Sequence, residues 1–126
     1  MRIDEYFRQV DEALTLYSRV SLKSILYDER SETKGFIKGV LHFDDGSELH
    51  VREFVDVSAG VDRYKYSYHY SRGEQLIFRY DNSADITARD LSTYPHHKHV
   101  RDAVQISSAP TLQEVLTEIT QKLPYS

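Results

Sequence analysis

The chain has 126 residues, the length of one domain, and we predict a single domain over 1–126. Hydrophobic residues make up 40% and charged residues 29%, which excludes collagen-like, low-complexity and mostly disordered chains. The absence of cysteine excludes thiol catalysis, disulfide bonds and Cys-ligated zinc. The acidic N-terminus and the short apolar stretches predict neither a signal peptide nor a membrane span, so we expect a cytoplasmic protein.

The net charge of −4 argues against a general nucleic-acid binder, but the charge is unevenly distributed. Residues 1–60 carry 8 basic and 12 acidic side chains, residues 61–101 carry 7 and 5, and residues 102–126 carry 1 and 3. The middle segment also holds four of the six histidines and six of the ten tyrosines. One mildly basic segment, rich in His and Tyr, therefore lies between two acidic segments.

The first predicted element is a helix over residues 3–17. Its apolar side chains recur at steps of three and four residues and form one face of the helix. They are Ile3, Tyr6, Phe7, Val10, Ala13, Leu14 and Tyr17. Asp4 and Glu5 lie in the first turn, where negative charge suits the helix dipole. An apolar stripe on one face indicates that this helix lies on a flat apolar surface.

Five strands are predicted next, joined by short polar turns. They cover residues 20–29, 36–43, 49–57, 64–70 and 75–80. The pair Asp45-Gly46 is a hairpin signal, because glycine accepts the positive φ of a tight turn. Short connections indicate antiparallel neighbours, so we expect these strands to form a meander.

The strand periodicity stops after residue 80, and residues 81–109 are predicted to form a long polar loop of the kind that is usually functional or disordered. A capping box from Thr111 to Glu114 then predicts a helix over residues 112–122, ended by Pro124. The predicted fold class is α+β: an N-terminal helix, a five-stranded antiparallel meander sheet, a long polar loop and a C-terminal helix packed on the sheet.

The first candidate for chemistry is Glu53, the single carboxylate in the apolar row of the third strand. The other members of that row are Leu49, Val51, Val55 and Val57. A carboxylate in such a row lies at the rim of the sheet or is buried with a partner. Two interpretations remain open: a structural ion pair with a cross-strand cation, and a site carboxylate with a perturbed pKa.

The second candidate is a row of tyrosines on the fourth strand. The row consists of Tyr64, Tyr66, Tyr68 and Tyr70. Alternation places all four on one face of the strand and leaves Lys65, Ser67 and His69 on the other. A row of this kind forms the edge of a core, a protein interface or a platform on which nucleotide bases stack, and the sequence leaves these alternatives open.

The third candidate is the segment Pro95–His99, which contains three imidazoles and one ammonium group. In extended backbone His97 and His99 point to one side, and His96 and Lys98 point to the other. Imidazoles act as acid or base near neutral pH, and Lys98 with a nearby arginine can neutralise a phosphate. Three interpretations remain open: a surface cluster, acid–base or anion chemistry, and metal binding. Two imidazoles alone do not complete a metal site.

Five stretches of the middle half of the chain carry a resemblance to a known family. They are Leu41–Ser47, Glu53–Asp56, Tyr64–Tyr70, Phe78–Asn82 and Thr93–Val100. Taken in this order, they resemble the TumE family of toxin components from bacterial and archaeal type II toxin–antitoxin systems. One departure concerns residues 83–86: the family pattern has a Pro-His pair shortly after Asp-Asn, whereas this chain has Ser83-Ala84-Asp85-Ile86.

The resemblance implies a small cytoplasmic protein that is encoded beside a DNA-binding antitoxin and inhibits growth when unopposed. The implied partner is therefore this cognate antitoxin, and RNA is a further expected partner. We expect no contact with membranes. A homodimer is a further expectation, because a five-stranded sheet has edges to cover.

The leading hypothesis is a toxin that cleaves RNA without a metal or other cofactor. Such cleavage needs a base for the 2′-hydroxyl, an acid for the leaving oxygen and cations for the charge on phosphorus. The candidate catalytic residues are His97, His99 and His69, and the candidate substrate-binding residues are Arg79, Lys98, Tyr66, Tyr68, Asp81 and Glu53. The hypothesis requires the imidazoles near position 97 to fold back over the last strand of the meander and meet Arg79 and Asp81.

Two alternatives belong to other classes of protein. In the first, the chain is a non-enzymatic module whose tyrosine-rich sheet face binds a protein partner such as the antitoxin. The acidic total favours this alternative, because RNA binding with few basic residues is weak and sensitive to salt. The second is a small-molecule hydrolase or transferase, for which the sequence offers no glycine-rich phosphate loop or nucleophile elbow.

Overall fold

A computed structural model describes residues 1–124 and confirms the α+β class. The helices are α1 (Ile3–Leu14) and α2 (Leu112–Lys122), with one turn of 3-10 helix at Ile86–Ala88. The strands are β1 (Val20–Glu29), β2 (Lys34–Phe43), β3 (Glu48–Asp56), β4 (Asp62–Arg72), β5 (Gln75–Asp81), β6 (His97–Val100) and β7 (Ala103–Ile106). None of the helices in the described residues is long and apolar enough to cross a membrane.

The sheet has seven strands rather than the predicted five, all antiparallel and in chain order. The predicted meander is confirmed, and it continues into the segment predicted to be a loop, where β6 pairs with β5 and β7 pairs with β6. These two strands have four residues each, which is too few for an alternating pattern to show in the sequence. Arg101 turns the chain between them with a positive φ of 55°.

The first helix ends at Leu14 rather than at residue 17. After Leu14 the amides of Thr15, Leu16 and Tyr17 bond to carbonyls three residues back, which tightens the chain into turns. The Thr15 hydroxyl also donates to the carbonyl oxygen of Glu12 at 2.6 Å. Side-chain hydrogen bonds of this kind compete with the backbone hydrogen bonds of a helix. The helix therefore ends before the apolar periodicity of the sequence does.

The last helix begins at the predicted capping box. The Glu114 amide donates to the Thr111 hydroxyl, and the Thr111 amide donates to the Glu114 carboxylate, both at 3.1 Å. The helix buries Leu112, Val115, Leu116 and Ile119 in the same core that α1 covers. We call this side of the sheet the helix face; its buried strand residues include Leu41, Val51, Tyr68 and Phe78.

The other side of the sheet, which we call the open face, carries neither α1 nor α2. Pairing of the strands aligns its side chains in rows. One row contains Lys38, Arg52, Ser67, Asp81 and His97, and the next contains Val40, His50, His69, Arg79 and His99. The open face is therefore rich in basic side chains and imidazoles.

Glu53 lies on the helix face and is 0% exposed. Its carboxylate accepts hydrogen bonds from the hydroxyls of Tyr6 and Tyr68, both at 2.5 Å. Arg63 donates to the Tyr68 hydroxyl at 2.9 Å and to the carbonyl oxygen of Pro110 at 2.6 Å. Burial, and then the charge of Glu53, raises the pKa of both tyrosines, so they keep the protons that they donate. The structural interpretation of Glu53 is favoured, with the cation linked through Tyr68 rather than paired directly.

We expect Glu53→Gln to lower the free energy of unfolding by about 1–3 kcal/mol, because the carboxamide turns an NH2 group toward a hydroxyl that also donates. Urea unfolding followed by circular dichroism measures the change. Glu29→Gln, at the exposed end of β1, is the matched control and is expected to alter stability by less than about 0.5 kcal/mol. Equal stability of Glu53→Gln and the wild type would contradict the importance of this buried network.

Candidate functional site

The pairing of β5 with β6 builds the centre of the site. Asp81 lies opposite His97, and Arg79 lies opposite His99. Because side chains alternate along each strand, all four point to the open face. The structure therefore brings the imidazoles together with Arg79 and Asp81, as the sequence hypothesis requires.

His97 is 0% exposed. Its Nδ1 atom lies 2.7 Å from the carbonyl oxygen of Pro95, so Nδ1 carries a proton and donates it. The other ring nitrogen, Nε2, lies 3.0 Å from Asp81 Oδ1, but the oxygen is not in the direction that a hydrogen bond needs. His97 Nε2 is therefore a buried polar atom that faces a carboxylate and has no hydrogen-bond partner in residues 1–124.

His99 packs its ring edge-to-face against the ring of His97, with the ring centres 4.7 Å apart. Its Nε2 atom is also buried without a hydrogen-bond partner among the described residues. This atom lies 3.9 Å from Asp81 Oδ2 and 3.5 Å from Asp85 Oδ2. Burial, and then the positive charge of Arg79, lowers the pKa of His99. The lowered pKa favours the neutral ring, which has a lone pair on one nitrogen.

Both carboxylates are held by the segment that follows β5. Asp81 Oδ1 accepts from the amide and the hydroxyl of Ser83 at 3.0 and 2.8 Å, and Oδ2 accepts from Arg79 Nε at 2.9 Å. Asp85 Oδ1 accepts from the amide and the hydroxyl of Thr87 at 2.9 and 2.7 Å, which caps the 3-10 helix. These bonds leave Asp85 Oδ2 directed toward the imidazoles.

Asp81, His97 and His99 form what we call the Asp–His–His cluster. One ligand atom of each residue lies within 4.8 Å of the ligand atoms of the other two. Imidazole nitrogens and carboxylate oxygens serve both as proton donors and acceptors and as metal ligands. The arrangement therefore suits proton transfer, metal coordination or both.

A groove on the open face borders this cluster. Its volume is about 450 Å³, and it is lined by Arg52, Phe54, Lys65, Tyr66, Ser67, Arg79, Asp81 and Ser83. Arg52 and Lys65 are exposed and form no salt bridge in the part of the chain that the structure describes. The Phe54 ring stacks on that of Phe36 with centres 4.6 Å apart. The groove thus combines unpaired positive charge with an aromatic surface.

His69 lies on the open face between His50 and Arg79. Burial, and then the charges of Arg79 and His50, lowers the pKa of His69. Arg79 separates His69 from His99 in their row across the sheet. The structure therefore places His69 beside the Asp–His–His cluster rather than within it.

Four predicted substrate-binding residues lie on the helix face. Tyr66 and Tyr68 are 2% and 0% exposed, so neither ring is open to a base; Tyr66, which also lines the groove, stacks on the ring of His96 with the ring centres 5.8 Å apart. Glu53 bonds to tyrosines there and does not reach an imidazole of the cluster. Lys98 donates to Glu118 of α2 at 3.0 Å, so the expected contact with phosphate is replaced by an ion pair.

Tyr64 departs from the predicted row because of a β-bulge. In the pairing of β3 with β4, Phe54 faces Lys65 while Val55 faces Arg63, so Tyr64 is the extra residue. Tyr64 is 50% exposed, and its ring centre lies 6.2 Å from that of Phe54. The helix face therefore has three tyrosines of the row, and Tyr64 joins the aromatic surface beside the groove.

Three residues of the site were not among the residues predicted from the sequence. Arg52 and Lys65 had a signal, since both occupy the polar positions of alternating strands and so point to the open face. Asp85 had none, because it lies in a segment without periodicity and only folding brings it near His99.

Comparisons with known proteins identify the family. No curated protein and no solved structure matches the chain. A family model described as Toxin TumE matches residues 8–123, which is nearly the whole chain and includes the five stretches that resemble this family in sequence. The chain belongs to the TumE family of toxins.

Proposed function

We propose that this toxin acts on RNA and cleaves it at the Asp–His–His cluster. The observation that carries the proposal is that the cluster borders a groove with unpaired cations, on the side of the sheet that both helices leave uncovered. A phosphodiester bound in the groove would lie beside Asp81 and Arg79, which pair with His97 and His99 across β5 and β6. The proposed place of action is the cytoplasm.

The groove has the chemistry of a site for single-stranded nucleic acid. Arg52, Lys65 and Arg79 offer donors for backbone phosphates, and the half-exposed ring of Tyr64 beside Phe54 offers a surface for an unpaired base. The net charge of −4 does not oppose this proposal, since the acidic side chains of α1 and α2 belong to elements on the other side of the sheet. Local charge decides binding, and the groove is basic.

His97 and His99 differ in their exposure to solvent and therefore in their proposed roles. His99 has a side-chain exposure of 15% and is assigned to proton transfer at the scissile phosphate through Nδ1, since its Nε2 is buried. Arg79, with 36%, is assigned to stabilise the negative charge that develops on phosphorus. His97, with a side-chain exposure of 0%, is assigned a positioning role inside the cluster. This assignment modifies the hypothesis of a His97 and His99 acid–base pair, because a buried ring does not reach the substrate.

Membership of a toxin family implies an antitoxin partner. We propose that this partner is a DNA-binding protein encoded beside the toxin. The alternative of a non-enzymatic module has less support, since Tyr66, Tyr68 and Tyr70 of its proposed contact surface are buried in the core. A homodimer remains a prediction, for which β1 and β7 provide the free edges of the sheet.

The first prediction concerns His99→Ala. Wild type expressed without antitoxin is expected to stop growth and degrade cellular RNA. In the variant the loss of proton transfer is expected to slow cleavage by about 10²–10⁴-fold, so that growth continues. Growth curves and gel analysis of total RNA provide the readouts.

His42→Ala is the matched control, because His42 lies on the open face at the end of β2, beside Glu48 and outside the cluster. It is expected to remain as toxic as the wild type. Equal toxicity of His99→Ala and the wild type would remove His99 from the mechanism. Toxicity with intact RNA would rule out RNA as the target.

The second prediction concerns the double variant Arg52→Ala/Lys65→Ala. Its affinity for a 2′-O-methyl single-stranded RNA, which resists cleavage, is expected to fall. The slope of log K against log salt concentration is expected to decrease by about 1.4, at about 0.7 for each lost phosphate contact. Fluorescence anisotropy at several salt concentrations measures both quantities.

Arg8→Ala/Lys122→Ala is the matched control, since it removes the same charge from the exposed sides of α1 and α2. Its affinity and salt slope are expected to equal those of the wild type. If both double variants lose the same affinity, binding depends on total charge and the groove is not the RNA site.

A further inference from the structure

We infer that Asp81, His97 and His99 bind one divalent transition-metal ion, with Zn²⁺ as the best fit and with Asp85 close to both imidazoles. The inference concerns the binding of the ion, and it does not depend on RNA being the substrate. Two imidazole ligands, which are all that the sequence indicates, make an incomplete site. The fold adds Asp81 as a third ligand and places Asp85 Oδ2 within 3.9 Å of both Nε2 atoms.

The distances between the donor atoms match the size of such a site. Bonds from zinc to nitrogen and oxygen are about 2.0–2.2 Å long, so the donors of a tetrahedral ion lie about 3.4 Å apart. His97 Nε2 lies 3.0 Å from Asp81 Oδ1 and 3.9 Å from Asp85 Oδ2. His99 Nε2 lies 3.9 Å from Asp81 Oδ2 and 3.5 Å from Asp85 Oδ2. These distances lie on both sides of the expected spacing. His97 and His99 are nearest to different oxygens of Asp81, whose single ligand atom lies within 4.8 Å of both rings' ligand atoms.

The two Nε2 atoms provide an independent argument. Among the buried side-chain polar atoms of residues 1–124, these two nitrogens are the ones that have no hydrogen-bond partner. A buried polar atom without a partner is costly, and most such atoms in folded proteins have one. His97 Nε2 and His99 Nε2 face the same carboxylates, so one cation placed between them would satisfy all these groups together.

The surrounding hydrogen bonds are those that orient metal ligands. A ligating histidine usually donates its other N–H to a carbonyl or carboxylate oxygen, and His97 Nδ1 does so to Pro95 at 2.7 Å. Ligating carboxylates are usually hydrogen-bonded as well, and Asp81 accepts from the amide and hydroxyl of Ser83. The chain therefore fixes the donor atoms before an ion binds.

A simple ion pair between His97 and Asp81 explains less. A doubly protonated His97 would donate from Nε2 to Asp81, but the carboxylate oxygen does not lie in the direction of that N–H at its 3.0 Å distance. The ion pair also leaves His99 Nε2 buried without a partner. A metal ion accounts for both nitrogens.

The donor set selects the class of metal. Mg²⁺ and Ca²⁺ prefer sites made of oxygen ligands, whereas imidazole nitrogen suits zinc, iron, nickel and copper. An ion at this position would border the groove beside Arg79. It would there supply Lewis-acid chemistry toward a bound phosphate or water.

Titration calorimetry of chelator-treated protein with ZnCl2 tests the inference, with metal analysis after dialysis as a second readout. We expect one Zn²⁺ per chain and no binding of Mg²⁺ at the same concentrations. Asp81→Asn and His99→Ala are expected to weaken Zn²⁺ binding by at least about a hundredfold, since substitutions outside the ligand shell already cost about 10–100-fold. His50→Ala removes an exposed histidine outside the cluster and is expected to bind Zn²⁺ like the wild type.

Circular dichroism shows whether each variant is folded, and His99→Gln replaces His99→Ala if the latter is not. The inference is overturned if wild-type protein binds no Zn²⁺, or if folded Asp81→Asn and His99 variants bind it as tightly as the wild type. A protein that binds one Zn²⁺ through these residues and leaves RNA intact would support the metal site while contradicting the proposed ribonuclease function.

Discussion

The candidate site depends on the register between β5 and β6. Because side chains alternate, a shift by one residue would move His97 and His99 to the helix face and Lys98 to the open face. Lys98 opposes this shift from the other side of the sheet, where its ammonium donates to Glu118 of α2 at 3.0 Å and lies 4.8 Å from the centre of the Tyr80 ring. The lysine that the sequence analysis assigned to phosphate binding thus positions the strand that carries the histidines.

The helix face of the sheet carries interactions that stabilise the fold, and the open face carries the candidate functional site. On the helix face, Glu53 joins α1 to β4 through the hydroxyls of Tyr6 and Tyr68. On the open face, Lys38 lies directly opposite Arg52 in the pairing of β2 with β3. Like charges in this position destabilise a strand pair, so the core on the other side must offset the cost. A bound polyanion would relieve the same repulsion, which gives the proposed RNA groove a physical basis beyond its charge.

Long periodic elements could be predicted from the sequence, and short or irregular ones could not. The helix predicted over 112–122 is found at Leu112–Lys122, because its capping box and apolar stripe are local signals. β6 and β7 carry no such signal in four residues each, and the bulge at Tyr64 breaks an alternation that the sequence presents as regular. The shared side of His97 and His99 follows from their spacing. Their meeting with Asp81 follows from strand pairing, which no local pattern contains.

The segment Ser83–Ile86 contacts the cluster directly. Within it, Ser83 donates to Asp81 while Asp85 faces His99 at 3.5 Å. Asp85 adds a negative charge beside two imidazoles, which strengthens the attraction for a divalent cation and weakens the attraction for a phosphate. In this chain a metal ion would thus neutralise the carboxylates that otherwise repel the proposed substrate.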